Sequence, residues 1–343
     1  MMEWRTTDEF AIMTSTAQLV ILGYNRPSLD EEFRARLKRH HLGGVFLYGD
    51  ALGPADEIRD LTAEIRSAVR DLPPFIAVDQ EGGRVQAWGP PHCEPLPSAA
   101  EVGWEYRQSG ELMEVTLGAM EIGRSLAAVG INLDFAPVLD VHTHPDNPII
   151  GERSFGSEPE LVVEVGCAFI EGLHAAGVVA CGKHFPGHGD TDLDSHLTRP
   201  SVSHGRERLE AVELLPFAAA ISRGLEVIMT AHVLYPAWDG QRPATISPAI
   251  IDGVLRDELG FSGVVVTDDL KMRGLRDEYD LTEAALLALE AGCDVLLSCT
   301  EHDRQEMLLE GLAKAQRDGR LTEPRLTRSL ERIVTVKRGW LAG

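Results

Sequence analysis

The chain is poor in positive charge. Its 343 residues hold 32 Lys and Arg against 54 Asp and Glu, a formal net charge of −22. Nucleic-acid binding is driven by basic patches, so this balance excludes a phosphate-backbone partner, whereas a neutral sugar is compatible with it. No apolar run approaches the ~20 residues of a membrane span, so no membrane partner is expected. Asp8 and Glu9 stand where a signal peptide would need its apolar stretch. Cysteine is sparse: Cys93, Cys167, Cys181, Cys293 and Cys299 are scattered and odd in number. Cys181, Cys293 and Cys299 lie in or beside apolar runs and read as buried free thiols, so a cytoplasmic protein is expected. The phosphate-binding Gly fingerprint that a doubly wound sheet would need for its usual role is absent. Residues 177–183 spell G-x-x-x-x-G-K, but His184 replaces the required Ser/Thr, and the run reads as a strand rather than a loop. Linkers, repeats and low-complexity tracts are lacking too, so one domain over residues 1–343 is expected.

What is present is a rhythm. Short apolar runs at 18–23, 44–48, 75–79, 132–138, 177–181, 227–232, 263–268 and 294–298 read as eight strands. Helix-compatible stretches follow at 29–40, 55–70, 113–128, 158–176, 206–223, 247–258 and 281–291. Two more, 306–318 and 323–341, close the chain, and the C-terminal helices from about 302 are expected to pack on the barrel. Eight buried strands, each followed by a helix, predict a (β/α)8 TIM-type barrel. In such barrels chemistry sits at the C-terminal strand ends. Here those ends carry Asp79, Asp140, Lys183 and His184, His232, and Asp268.

One stretch concentrates polar residues. Residues 182–196, GKHFPGHGDTDLDSH, place a Lys, three His and three Asp on a loop after the fifth strand. Asp190, Asp192 and Asp194 have the spacing of a calcium loop, but Ser195 stands where Gly is needed and Ser201 where the bidentate Glu is needed. His184, His188 and His196 could supply nitrogen ligands to zinc. Asp268 and Asp269 are adjacent, and strand alternation points them apart, which leaves Asp269 to cap the next helix. Asp79 could cap its turn or pair with Arg84, and a lone Arg such as Arg153 could form a surface ion pair. Glu81 and Arg84 read as structural.

The same stretch, KHFPGHGDTDLDSH, resembles the signature of glycoside hydrolase family 3, in its single-domain β-N-acetylglucosaminidase (β-hexosaminidase) branch. The resemblance extends over about residues 22–299. It implies a retaining glycosidase in which Asp268 is the nucleophile and His196 the general acid/base, with Asp194 orienting its ring. His suits that role because its ordinary pKa of about 6.5 makes both protonation states accessible. Asp79, Arg153, Lys183 and His184 become sugar-binding residues, with Lys183 and His184 expected to donate hydrogen bonds. His232 is left at the rim without a catalytic role. No cofactor and no metal are implied. The implied substrate is a carbohydrate containing N-acetylglucosamine, such as the muropeptides of cell-wall recycling. A β-glucosidase or phosphorylase of the same family, or a sugar-binding barrel without catalysis, are the alternatives. Where relatives read G-G-R-V-Q-R, this chain has Ala87 after Gln86, which removes an Arg that contacts substrate in those relatives.

Overall fold

A computed structural model describes residues 15–69, 72–191 and 200–341. Eight strands are parallel and follow the chain in space: β1 (Val20–Tyr24), β2 (Gly44–Leu47), β3 (Phe75–Val78), β4 (Leu133–Asp134), β5 (Val179–Phe185), β6 (Val227–Thr230), β7 (Val264–Val266) and β8 (Leu296–Ser298). Val20 pairs with Leu296 and Ile21 with Gly44, so β1 lies between β8 and β2. A parallel bridge between Val266 and Val295, with the Val295 N–H donating to the Val265 carbonyl, joins β7 to the start of β8 and closes the ring. The fold is the expected (β/α)8 barrel. Its strands are apolar on both faces because one face meets the barrel interior and the other the helices.

The helices begin and end where local chemistry dictates. Asp30 accepts the Phe33 N–H at the start of Glu31–His40, and Asp280 accepts the Glu283 N–H at the start of Leu281–Ala291. Three departures from the expected elements have local causes. The fourth strand narrows to two residues because Pro137 has no N–H for the ladder, and only Val138 returns to it, against Lys183. The helix expected over 206–223 splits into Arg206–Ala211 and Leu215–Ser222, since Pro216 cannot continue a helix begun before it. An unexpected helix, Ala99–Ser109, is started by a capping box in which Ser98 and Glu101 satisfy each other's backbone N–H groups.

The last helix, Glu323–Trp340, runs under the barrel. Ser329 and Arg332 bond Asp294, just before β8, at 2.7 and 3.0 Å. Lys337, fully buried, donates to the Gly43 carbonyl (2.7 Å) and to Gln18 Oε1 (3.2 Å), with its ammonium 4.9 Å from the centre of the Phe75 ring. Gln18, Gly43 and Phe75 precede or open β1, β2 and β3. The N-terminal face of the barrel is thus sealed, and the opposite face is left for chemistry.

Candidate active site

The expected strand-end residues gather at the C-terminal mouth. Asp79 follows β3, and a short hairpin, Gln80–Gly82 with Val85–Gln86, begins one residue later. This turn places Glu81 back against the mouth. The Lys183 ammonium lies 2.6 Å from Asp79 Oδ1 and 2.5 Å from Glu81 Oε1. Arg153 grips Glu81 with two parallel bonds, Nε to Oε2 at 2.7 Å and Nη2 to Oε1 at 2.8 Å. Planar guanidinium and planar carboxylate match in that geometry.

Glu81 therefore joins two of the four expected sugar-binding residues, and its side chain is only 3% exposed. Burial alone would push its carboxyl up, but Lys183 and Arg153 outweigh burial and hold it down at about 2. The structural role read for it from sequence is thus a role in the site itself. Asp79 behaves differently. Its partner is Lys183 and not Arg84, whose guanidinium goes instead to the carbonyls of Ile149 and Ile150. With a side chain 32% exposed, Asp79 keeps part of its carboxylate open to solvent.

His184 is oriented from below. Asp140 Oδ2 meets His184 Nδ1 at 2.7 Å, while Asp140 Oδ1 accepts the backbone N–H groups of His184 (3.1 Å) and His188 (2.6 Å). Burial raises the Asp140 carboxyl, but His184 and these N–H bonds bring it below the ordinary range, so it is ionised. An ionised carboxylate at Nδ1 keeps the proton on that nitrogen. Nε2, 3.3 Å from Arg153 Nη2, is then an acceptor. The Nδ1 side of the ring is thus committed to Asp140, and the Nε2 edge faces Arg153.

The loop after β5 is held against the β4 side. Asn147 Nδ2 donates to the carbonyls of His188 (2.9 Å) and Gly189 (3.1 Å). A Cβ on Gly189 would lie 1.8 Å from the Val141 carbonyl oxygen, so only glycine permits the approach. His188 is buried, its Nδ1 2.7 Å from the Thr191 hydroxyl, and burial first and His184 second push its pKa down to about 4. Asp194 and His196 lie outside the described residues.

Asp268 follows β7 and is partly exposed. Burial would raise its carboxyl, but His232, His184 and Lys183, together with the Asp269 N–H at 2.8 Å, bring it below the ordinary range. It is a carboxylate beside the Lys183 ammonium and two histidine rings. Asp269 turns away, as strand alternation predicts, but it does not cap a helix. Its Oδ1 accepts the Lys271 N–H (3.1 Å) and the Cys299 N–H (3.2 Å), tying the turn after β7 to the end of β8. His232 lies just past the end of β6 and is fully buried, with Nδ1 2.7 Å from the Thr245 hydroxyl and Nε2 3.2 Å from the Asp269 carbonyl. Ala87, half-buried, donates its N–H to the Asp79 main-chain carbonyl at 3.0 Å, so the position that lacks the expected Arg is tied to the backbone of Asp79. Among the described residues, no helix is long and apolar enough to cross a membrane.

An ionised carboxylate thus stands at the same mouth as a fixed array of charged and hydrogen-bonding side chains. The chain is 36% identical to Beta-hexosaminidase A of Pseudoalteromonas piscicida over 90% of its own length, and spans about half, 55%, of that relative. It is 40% identical to a Beta-hexosaminidase of Tolumonas auensis, covering 83% of each chain. A glycoside hydrolase family 3 beta-N-acetylglucosaminidase from Paenibacillus sp. str. FPU-7 superposes with a TM-score of 0.89 at 40% identity, over 95% of this chain and 62% of that one. The family model for the glycosyl hydrolase family 3 N terminal domain matches residues 12–336, and the chain belongs to that family.

Proposed function

We propose that this chain is a retaining exo-β-N-acetylglucosaminidase that removes terminal β-linked N-acetylglucosamine. The observation that carries the reading is the pairing of an ionised Asp268 with the Asp79–Lys183–Glu81–Arg153–His184 array at one mouth. Asp79, Arg153, Lys183 and His184 hold the sugar. Asp268 attacks the anomeric carbon, the glycosidic bond breaks, and His196, oriented by Asp194, gives its proton to the departing oxygen. Water then adds to the glycosyl-enzyme while His196 takes a proton back, and Asp268 leaves as the carboxylate. Muropeptides of the bacterial cell wall are the proposed natural substrates. The five free thiols suit a reducing cytoplasm as the place of action.

A 5-fluoro N-acetylglucosaminyl fluoride tests this. It should leave a covalent adduct on the peptide carrying Asp268, and Asp268→Ala should lose both adduct and turnover while Asp269→Ala keeps the adduct. A label on Asp269, or a product of inverted configuration, would overturn the mechanism. Faster turnover of a nitrophenyl β-glucoside than of the N-acetylglucosaminide would overturn the substrate.

A further inference from the structure

A concavity of about 490 Å³ lies between the helices Ala99–Ser109 and Leu112–Ala128 and reaches inward to Gln80 and Glu81, behind the barrel mouth. Its apolar walls include Val102, Val115, Ile122, Phe155 and Phe169. Its rim is acidic: Glu94, Glu105, Glu111, Glu114 and Glu121 line it, and all five are exposed. Among the described residues, no Lys, Arg or His lines the groove and none of these five glutamates has an ion-pair partner. An apolar cleft ringed by unpaired charge of one sign is unlike the mixed surface of an ordinary barrel helix.

Gly118 adds an independent observation. It sits mid-helix in Leu112–Ala128, lines the groove, and has nothing within 4 Å of the place its Cβ would occupy. Neither a close backbone approach nor a positive φ requires glycine there. Glycine in a helix interior is destabilising relative to Ala. What it provides is room.

We infer that this groove is a docking site for a basic amphipathic helix of a partner protein. Apolar side chains at i, i+3, i+4 and i+7 would enter the cleft, and flanking Lys or Arg would meet the glutamate rim. A second copy of this chain is disfavoured as the occupant, because its net charge of −22 would meet a surface of the same sign.

The probe is a fluorescein-labelled, two-heptad peptide of Leu and Lys, titrated by anisotropy at physiological salt, with a Leu/Gln peptide of the same pattern as control. The expected result is saturable one-to-one binding of the Lys peptide that weakens at least roughly tenfold in Gly118→Trp and in the double variant Glu114→Lys, Glu121→Lys. Gly118→Trp fills the groove from an open position, and the double variant changes only exposed side chains, so one reports if the other misfolds. Cys93 lines the groove and is half-buried, whereas the other four cysteines are buried. Its alkylation should therefore slow when the Lys peptide is bound. Absence of binding, equal binding of the Leu/Gln peptide, or unchanged binding in both variants would overturn the inference, the last by exposing attraction to the acidic surface at large.

Discussion

At the scale of single residues, the site is organised by a carboxylate that touches no substrate in the proposed reaction. Glu81 sets the spacing between Lys183 and Arg153. Its carboxyl is held at about 2, below the ordinary 4.5, so the unfolded chain binds its proton first as pH falls. The stability it contributes is complete above pH 4.5 and is lost as pH drops from there towards 2. Glu81→Gln should lower unfolding free energy at pH 7 by about 3 kcal/mol, because two buried cations lose their charge partner, and by far less at pH 3. Its kinetic signature should be a KM for the nitrophenyl N-acetylglucosaminide raised roughly tenfold or more, with kcat reduced less. An unchanged KM would remove Glu81 from the site. Asp79, Arg153, Lys183, His184 and Asp268 are legible in the sequence because each ends a strand or follows one in a recognisable motif. Glu81 is not. An acid between Gln80 and two glycines reads as part of a turn, and its partner Arg153 lies 72 residues away.

At the scale of elements, the eight strands are visible because buried parallel strands are continuous apolar runs. The helix Ala99–Ser109 is missed although its capping box is written in Ser98 and Glu101, since attention to apolar periodicity overlooks a short, half-exposed helix. The break before Pro216 and the shortening at Pro137 are written in those prolines. What no local pattern contains is how elements distant in sequence meet. His174 lies in the last turn of helix Pro159–Ala175; its ring packs 4.5 Å from that of Trp340, and its buried Nε2 has no partner among the described residues. Burial pushes its pKa down to about 4. Between about 6.5 and 4 the unfolded chain takes up a proton that the folded chain refuses, so stability falls as pH drops through that window. His174→Phe should keep the ring contact and remove the titration. Its Tm relative to the parent should be higher at pH 5 than at pH 8, and equal differences at the two pH values would refute the assignment.

At the scale of the whole molecule, two ends of the barrel are built for opposite tasks. One gathers charge around a solvent-accessible mouth. The other is closed by the last helix, with Lys337 buried and its pKa pushed by burial down to about 7. Between pH 7 and 10.5 the folded chain sheds this proton while the unfolded chain keeps it, so the residue's contribution to stability rises with pH across that range. Comparison with Lys337→Met isolates the effect: the parent should gain on the variant by about 1–3 kcal/mol between pH 7 and 9, read from urea midpoints. A constant difference would mean that the ammonium titrates elsewhere. The same contact has a consequence for biosynthesis. Lys337 reaches Gln18 across 319 positions and Gly43 across 294. Translation delivers the first strands long before their floor exists. The nascent barrel must therefore travel through most of its synthesis with its base open, and full protease resistance should arrive only when Lys337 has cleared the ribosomal tunnel.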